Sequence, residues 1–256
     1  MASPQWTHIA ETTSTSQWLR DHAAGLPADR STGHIQAVCW ADYQTAGRGC
    51  GTNRWQSERG KNLLLSILTA CHTTPARGQF TLSMAAGLAM LGGLRRCLEA
   101  QGVTAEPLRL KWPNDIYWGD RKLGGMLIEP SLAGSRIKSC IFGVGINVNQ
   151  RLFPQELPNP VSLAQVTGHP TPLEPLLRQL TGLLEEWVGR AETEVDEVAE
   201  AYGRVLYRRT GYHAYRDAEG AFEAELRRVD RQGRLYLVDR QGAERSYAFK
   251  EVEFII

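Results

Sequence analysis

No stretch of eighteen apolar residues occurs in the 256-residue chain, and its opening MASPQWTHIAETTSTSQW has no charged segment leading into an apolar one. Neither a membrane-spanning helix nor a secretory signal is expected from such a sequence, and the expected location is the cytoplasm. The five cysteines, Cys39, Cys50, Cys71, Cys97 and Cys140, are odd in number, widely spaced and form no C-x-x-C. That excludes a disulfide framework and a zinc cluster and leaves free thiols in a reducing compartment. The histidines are scattered without ligand spacing, so no structural metal is indicated. Excess charge is lacking too: 29 Lys+Arg stand against 28 Asp+Glu, with no basic run and no acidic tail. Nucleic acid is therefore not the expected partner. Nor is there a G-x-x-x-x-G-K-[ST], so any nucleotide phosphate would be held without a Walker lysine.

What is present suggests one full domain and a small one. Apolar runs bounded by Gly, Pro or charge predict strands at 34–40, 62–69, 108–112, 122–129 and 139–148, alternating with helical patterns. Residues 79–102 place Leu82, Ala86, Met90, Leu94 and Leu98 four apart and stop at Gly102, a helix with its terminal glycine. Gly92 and Gly93 inside it cost about 1 kcal/mol each, so close packing on a sheet must offset them. A second long helix is expected to open with Thr171 as N-cap, Pro172 in the first turn and Glu174 completing a capping box. Its apolar stripe is Leu173, Leu176, Leu180, Leu183, Leu184 and Trp187. Near the C-terminus three D-x-x-G turns, Asp217 to Gly220, Asp230 to Gly233 and Asp239 to Gly242, separate short alternating strands of a small antiparallel meander or barrel.

Four stretches could carry chemistry. QTAGRGCGTNRW (44–55) sets glycines, which let backbone N–H groups approach a ligand, beside Arg48 and Arg54, whose forks suit carboxylate or phosphate oxygens. A glycine-rich surface connection fits the spacing as well. LKWPNDIYWGDRKLGGMLIE (110–129) ends a strand on Lys111, which must reach water or an anion, turns at Pro113-Asn114-Asp115 and returns as a hairpin. An edge lysine beside a turn is the plain alternative, although Gly124 and Gly125 weaken a strand that nothing approaches. GVGINVN (143–149) ends on Asn147, whose amide could read a purine edge or simply terminate the strand. ETTSTSQWL (11–19) offers Ser14 as an N-cap with Thr15 and Ser16 presenting hydroxyls, and capping alone would account for it.

In order and spacing, STS, QTAGRG…W, GKNLLLS, LKWPNDIYW…RKLGGMLIE, GVGINVN and the closing FKEVEFII resemble the biotin protein ligases over nearly the whole chain. K-W-P-N-D with R-K-L-G-G is the most specific part and separates these from lipoate ligases of similar fold. The resemblance implies an α+β fold: a mixed β-sheet flanked by helices, like class II aminoacyl-tRNA synthetase cores, over 1–207, then a small SH3-like β-barrel over 208–256. It implies formation of biotinoyl-AMP from biotin and Mg-ATP with release of pyrophosphate, then transfer to one lysine of a biotin carboxyl carrier protein. Mg2+ would arrive with the nucleotide phosphates.

Such chemistry must bring a carboxylate and an α-phosphate together, so it asks for cations and positioning, with no covalent nucleophile. By the resemblance Arg48 and Lys111 do this work. Ser14, Thr15, Ser16 and Gln44 line the biotin head; Gly47, Arg48, Gly49 and Cys50 form the loop over biotin and adenylate; Gly124 and Gly125 let a strand approach. Trp55 covers the intermediate, and Asn114 and Asn147 lie on the nucleotide side. The loop departs from the family pattern at Cys50, where a further arginine is common. One lost charge-assisted contact is worth about 1.5–3 kcal/mol, roughly ten- to a hundredfold in holding the adenylate. An inert position and a redox-sensing thiol are the other readings of Cys50. The chain begins ten residues before ETTSTSQW, without room for the N-terminal helix-turn-helix of bifunctional relatives, so operator binding is not expected. A lipoate or octanoate ligase and a non-catalytic biotin sensor are the competing classes, and a homodimer through an exposed sheet edge stays open.

Overall fold

The computed structural model describes residues 4–22, 33–51 and 53–256, so Thr52 of the glycine-rich loop lies outside the described residues. Strand β1 (Gln5–Ile9) is not among the predicted apolar runs, which become β2 (Ile35–Ala41), β3 (Leu63–Ala70), β4 (Leu108–Lys111), β6 (Arg121–Ala133) and β7 (Arg136–Ile146), while β5 (Asp115–Trp118) leaves the turn after β4. They form one mixed sheet in the order β1-β2-β3-β7-β6-β5-β4, with β1 and β2 parallel and the other neighbours antiparallel. Helices α1 (Thr15–His22), α2 (Gln79–Ala100), α3 (Leu163–Thr167), α4 (Leu173–Thr193) and α5 (Val195–Arg204) flank it. The expected alternation of strand and helix does not hold. From β4 to β7 the strands follow one another directly, because the connections at 112–114, 119–120 and 134–135 are too short for a crossover.

Helix α2 is apolar on most of its circumference because it lies between the sheet and α4. Gly87 faces the sheet, where a Cβ would stand 2.9 Å from Leu110 Cδ1. Gly93 faces α4 and not a sheet, contrary to the sequence expectation: a Cβ there would lie 2.5 Å from Leu180 Cδ2. Close approach of two helices is thus what offsets the poor helix propensity. The capping box predicted at Thr171 is also corrected. Helix α4 starts at Leu173 with no side-chain cap among the described residues: the Thr171 hydroxyl accepts from the Gln101 amide at 3.2 Å, and Asn149 holds the Thr171 backbone, accepting from its N–H at 2.8 Å and donating to its carbonyl at 2.9 Å. The complete capping box is formed by Ser162 and Gln165 on α3.

Two carboxylates of α4 bind it to the sheet. Glu185 accepts from the His34 and Ile35 N–H groups, each at 2.7 Å. Glu192 Oε1 accepts from the N–H groups of His72, Thr73 and Thr74 and from the Thr74 hydroxyl. Burial pushes the Glu192 carboxyl up, but the hydrogen bonds from Thr73, Thr74 and His72 outweigh it and hold it below the ordinary carboxylate value. With the folded value below the unfolded one near 4.3, the stabilisation is complete above that pH and is lost as pH falls through the lowered value. Glu192→Gln keeps an acceptor but no charge. It is expected to cost about 1 kcal/mol in urea unfolding near pH 7 and to approach the native protein near pH 3; an equal gap at both would overturn this.

The last five strands, β8 (Tyr212–Asp217), β9 (Gly220–Val229), β10 (Leu235–Asp239), β11 (Glu244–Tyr247) and β12 (Glu253–Phe254), form an antiparallel sheet in the order β11-β10-β9-β8-β12. Each D-x-x-G turn is present. Asp217, Asp230 and Asp239 accept from the N–H two residues on, and Gly220, Gly233 and Gly242 have positive φ. Among the described residues no ladder joins β11 to β12, so the sheet is open where a closed barrel was expected; β12 is only two residues long. This sheet shares the main core: Leu226, Leu235 and Leu237 belong to the same buried cluster as Leu110 and Trp112. Trp112 Nε1 donates to the Gly233 carbonyl at 2.9 Å, which docks the central turn of the small sheet beside the 112–114 turn. No helix of the described residues is long and apolar enough to cross a membrane.

Candidate active site

The glycine-rich loop folds into a small hairpin between β2 and β3. Arg48 and Arg54 form an antiparallel bridge, Gly49 N–H donates to the Asn53 carbonyl at 2.9 Å, and Trp55 N–H donates to the Gly47 carbonyl at 3.0 Å. Gly47 is dictated by space, since a Cβ there would stand 2.4 Å from the Trp55 carbonyl oxygen. The Trp55 indole is laid on β7 at Gly145, where a Cβ would lie 2.6 Å from its Cε2. Its Nε1 is buried with no hydrogen-bond partner among the described residues.

Under this hairpin lies a cavity of about 190 Å3 that gathers Ser14, Thr15, Ser16, Gln44, Arg48, Gly49, Cys50, Trp55, Lys111, Asn114 and Gly125 from distant parts of the chain. One end is buried and polar. Thr15 donates its N–H and hydroxyl to Gln44 Oε1 at 2.8 and 3.1 Å, its Oγ1 lies 2.8 Å from Ser66 Oγ, and the Ser14 and Ser16 hydroxyls are 3.0 Å apart. The walls are apolar, from Leu65, Met126, Leu127 and Val144. At the far end Lys122 Nζ meets Asp115 Oδ1 at 2.7 Å. Asn114 pins this end by donating to the Met126 carbonyl at 2.6 Å. A second cavity of about 460 Å3 adjoins it, and Asn53, Arg54, Trp55, Asp115 and Lys122 line both.

Several sequence-derived residues have protein partners that the sequence did not show. Lys111 lines the first cavity, but its ammonium lies 4.6 Å from the Phe254 ring centre and 5.4 Å from that of Tyr117. Burial there lowers its pKa, against the opposing pull of Asp115. Arg48 pairs with Glu129 of β6 at 2.9 Å, and Arg20 of α1 holds the other oxygen of the same carboxylate at 2.7 Å. Gly124 serves the sheet, not the cavity wall: a Cβ would lie 2.8 Å from the Gly145 carbonyl oxygen. Gly47 shapes the hairpin from behind. Asn147 is buried, donates to the Val161 carbonyl at 3.1 Å and lines only the second of the two cavities. Burial pushes the Cys50 thiol up while Lys250 pulls it down, with a net rise. A thiol kept protonated is a poor redox sensor.

Two side chains escaped the sequence reading. Ser66 is fully buried in the otherwise apolar β3, and a lone hydroxyl in NLLLSILT was the available signal. Lys122 was passed over for Lys111, although a lysine between Arg121 and the apolar run that opens at Leu123 was equally conspicuous.

Residues 25–147 match the biotin/lipoate A/B protein ligase family. That match takes in just under half of the chain. It is 30% identical over 215 residues to the bifunctional ligase/repressor BirA of Bacillus subtilis, covering 81% of this chain and 63% of that protein. It is 32% identical over 186 residues to the biotin–[acetyl-CoA-carboxylase] ligase of Mycobacterium tuberculosis, covering 70% and 64%. The chain thus spans less than two thirds of either relative's length. Its fold is similar to that of the Aquifex aeolicus biotin protein ligase in complex with biotin and ATP, with a TM-score of 0.74, 23% identity and 97% of each chain covered. The ligase-family match takes in the hairpin at 44–55, Lys111 and Lys122, while the hydroxyls at 14–16 and the C-terminal sheet lie outside it.

Proposed function

We propose that this chain is an ATP-dependent biotin protein ligase, which forms biotinoyl-AMP and passes the biotinoyl group to one lysine of a biotin carboxyl carrier protein. The observation that carries the reading is the shared wall: Lys122, Asp115 and Trp55 line both the hydroxyl-ended slot and the adjoining cavity. A ureido ring needs donors and acceptors together, which Ser14, Thr15, Ser16, Gln44 and Ser66 offer, and its aliphatic tail suits Leu65, Met126 and Val144. The tail's carboxylate then ends at Lys122, beside the second cavity, where the nucleotide would lie with Asn147 on its wall, while Asn114 lines the slot next to the carboxylate.

The biotin carboxylate attacks the α-phosphorus, a new C–O–P link forms, and the bond to pyrophosphate breaks with the electron pair leaving on pyrophosphate. The neutral amine of the carrier lysine then attacks the carbonyl carbon, an amide C–N bond forms, the carbonyl C–O bond to phosphate breaks with its electron pair leaving on AMP, and the amine's proton passes to solvent. No group of the protein is consumed, so its work is to hold two anions together and to exclude water. Lys122 offsets the charge where carboxylate and phosphate meet. Arg48 leaves Glu129 to join it, Lys111 supports the phosphate side, and the hairpin of Gly47, Gly49 and Cys50 brings Trp55 over the product. Mg2+ would come with ATP and screen its phosphate oxygens, and Asp115, which lines both cavities and pairs with Lys122 at 2.7 Å, is the carboxylate that would face it. We read residues 1–207 as the catalytic domain and 208–256 as the SH3-like unit of such ligases.

The test is to incubate the protein with Mg-ATP, biotin or lipoate, and an apo carrier domain, and to weigh the carrier. Addition of one biotinoyl group is expected. Lipoylation alone, or an unmodified carrier, would remove the reading.

A further inference from the structure

Lys250 lies in the turn between β11 and β12 with φ 71°, a left-handed backbone conformation that residues with a side chain rarely adopt. Its side chain reaches the glycine-rich hairpin: a Cβ added at Gly51 would stand 2.5 Å from Lys250 Nζ and 3.1 Å from its Cε. Gly51 therefore leaves the space that the lysine fills, and the ammonium acts on the neighbouring Cys50 thiol. Cys50 is the position where the family resemblance suggests another arginine. A cation is present there all the same, carried in from the other end of the chain.

A groove of about 1070 Å3 runs beneath this contact, with Lys111 and Lys250 on its walls. Asn53 lines this groove, the slot and the adjoining cavity, so all three meet at the hairpin. The groove's carboxylate side chains already have partners. Glu253 pairs with Arg216 at 3.3 Å, Glu251 accepts from the Ala248 N–H at 2.6 Å and lies 3.7 Å from Arg234, and Asp217 accepts from the Tyr247 hydroxyl at 2.7 Å. Two ammonium groups and Arg216 beside a cavity whose carboxylate side chains are already paired make a setting for a small polyanion.

We propose that Lys250 binds the pyrophosphate end of the nucleotide, supplying from the C-terminal sheet the charge that the hairpin lacks at Cys50. The choice of pyrophosphate rests on the ligase reading above. In that reaction the β- and γ-phosphates leave together, and the groove is their way out of the adjoining cavity. Lys250 is a binding residue for the departing group, and the strained backbone at φ 71° is what aims its side chain at Gly51.

Calorimetric titration with inorganic pyrophosphate and Mg2+ tests this on the native protein, Lys250→Gly and Lys250→Arg. Glycine tolerates the left-handed conformation, so Lys250→Gly is expected to melt no lower than the native protein. Its Kd for pyrophosphate is expected to rise about tenfold, with arginine keeping near-native affinity. In the ligase assay the same variant should raise the KM for ATP about tenfold and leave that for biotin unchanged. Unaltered pyrophosphate affinity in Lys250→Gly would overturn the proposal. A native protein that forms no biotinoyl-AMP would instead sink the ligase reading, and the pyrophosphate titration would still judge Lys250.

Discussion

Replacing Lys122 by methionine is expected to lower the rate of biotinoyl-AMP formation by about a hundred- to a thousandfold, the range seen when one preorganised transition-state donor is removed. The folded state should hardly notice. The ion pair with Asp115 spans 2.7 Å, but its side chains are 35% and 18% exposed, so water screens it and its net contribution is about 1 kcal/mol or less. Methionine keeps the aliphatic stem, which limits any loss to the charge itself. Once both substrates fill the cavities and displace water, the same charge acts through a lower effective dielectric. Lys111→Met is the comparison that gives the experiment its edge. Its ammonium faces the Tyr117 and Phe254 rings, so a smaller loss of about tenfold is expected. Pyrophosphate release measured for both variants decides: a greater loss in Lys111→Met would return the central role to Lys111.

Gly47→Ala should be nearly as damaging, by a steric route. A methyl group at this position would sit 2.4 Å from a backbone oxygen, that of Trp55, and 3.2 Å from Gln44 Nε2. No side-chain rotation relieves the first contact, so the hairpin has to open. That breaks the Trp55 N–H to Gly47 carbonyl bond and lifts the indole from Gly145. Displacing reacting groups by about 1 Å can cost a hundredfold in rate, and a loss of that order is expected in biotinoyl-AMP formation. Thermal unfolding should move little, because the hairpin contributes few side chains to the main buried cluster. Gly182→Ala, an exposed position of α4 with open space around it, is the control and should leave the rate unchanged. A Gly47→Ala protein with a native rate would mean that the hairpin does not hold the substrates.

Much of the fold was legible because its signals are short-ranged. The apolar runs at 62–69 and 139–148 reappear as β3 and β7, shifted by a residue or a few, since a short, mostly apolar run between polar ends suits a strand buried on both faces. The three D-x-x-G turns reappear because the bond from the Asp side chain and the positive φ of the glycine lie within one turn. Thr171 shows the limit of local reading: its capping signal is sound, yet Asn149 takes its backbone.

The sequence by itself determined most strands of the main sheet, the D-x-x-G turns, the apolar stripe of α4 and the residue types that chemistry between two anions requires. Only the tertiary structure decided which cation stands where. Asp115 and Gly125 face each other on neighbouring strands, a register that brings Lys122 to the cavity, whereas Lys111 is turned toward Phe254 of the C-terminal sheet. Glu129 claims Arg48, and Lys250 reaches Gly51. A long charged side chain goes to whatever partner the packed elements bring within reach, and that partner is set by strand register and domain docking, neither of which leaves a periodic trace in the chain.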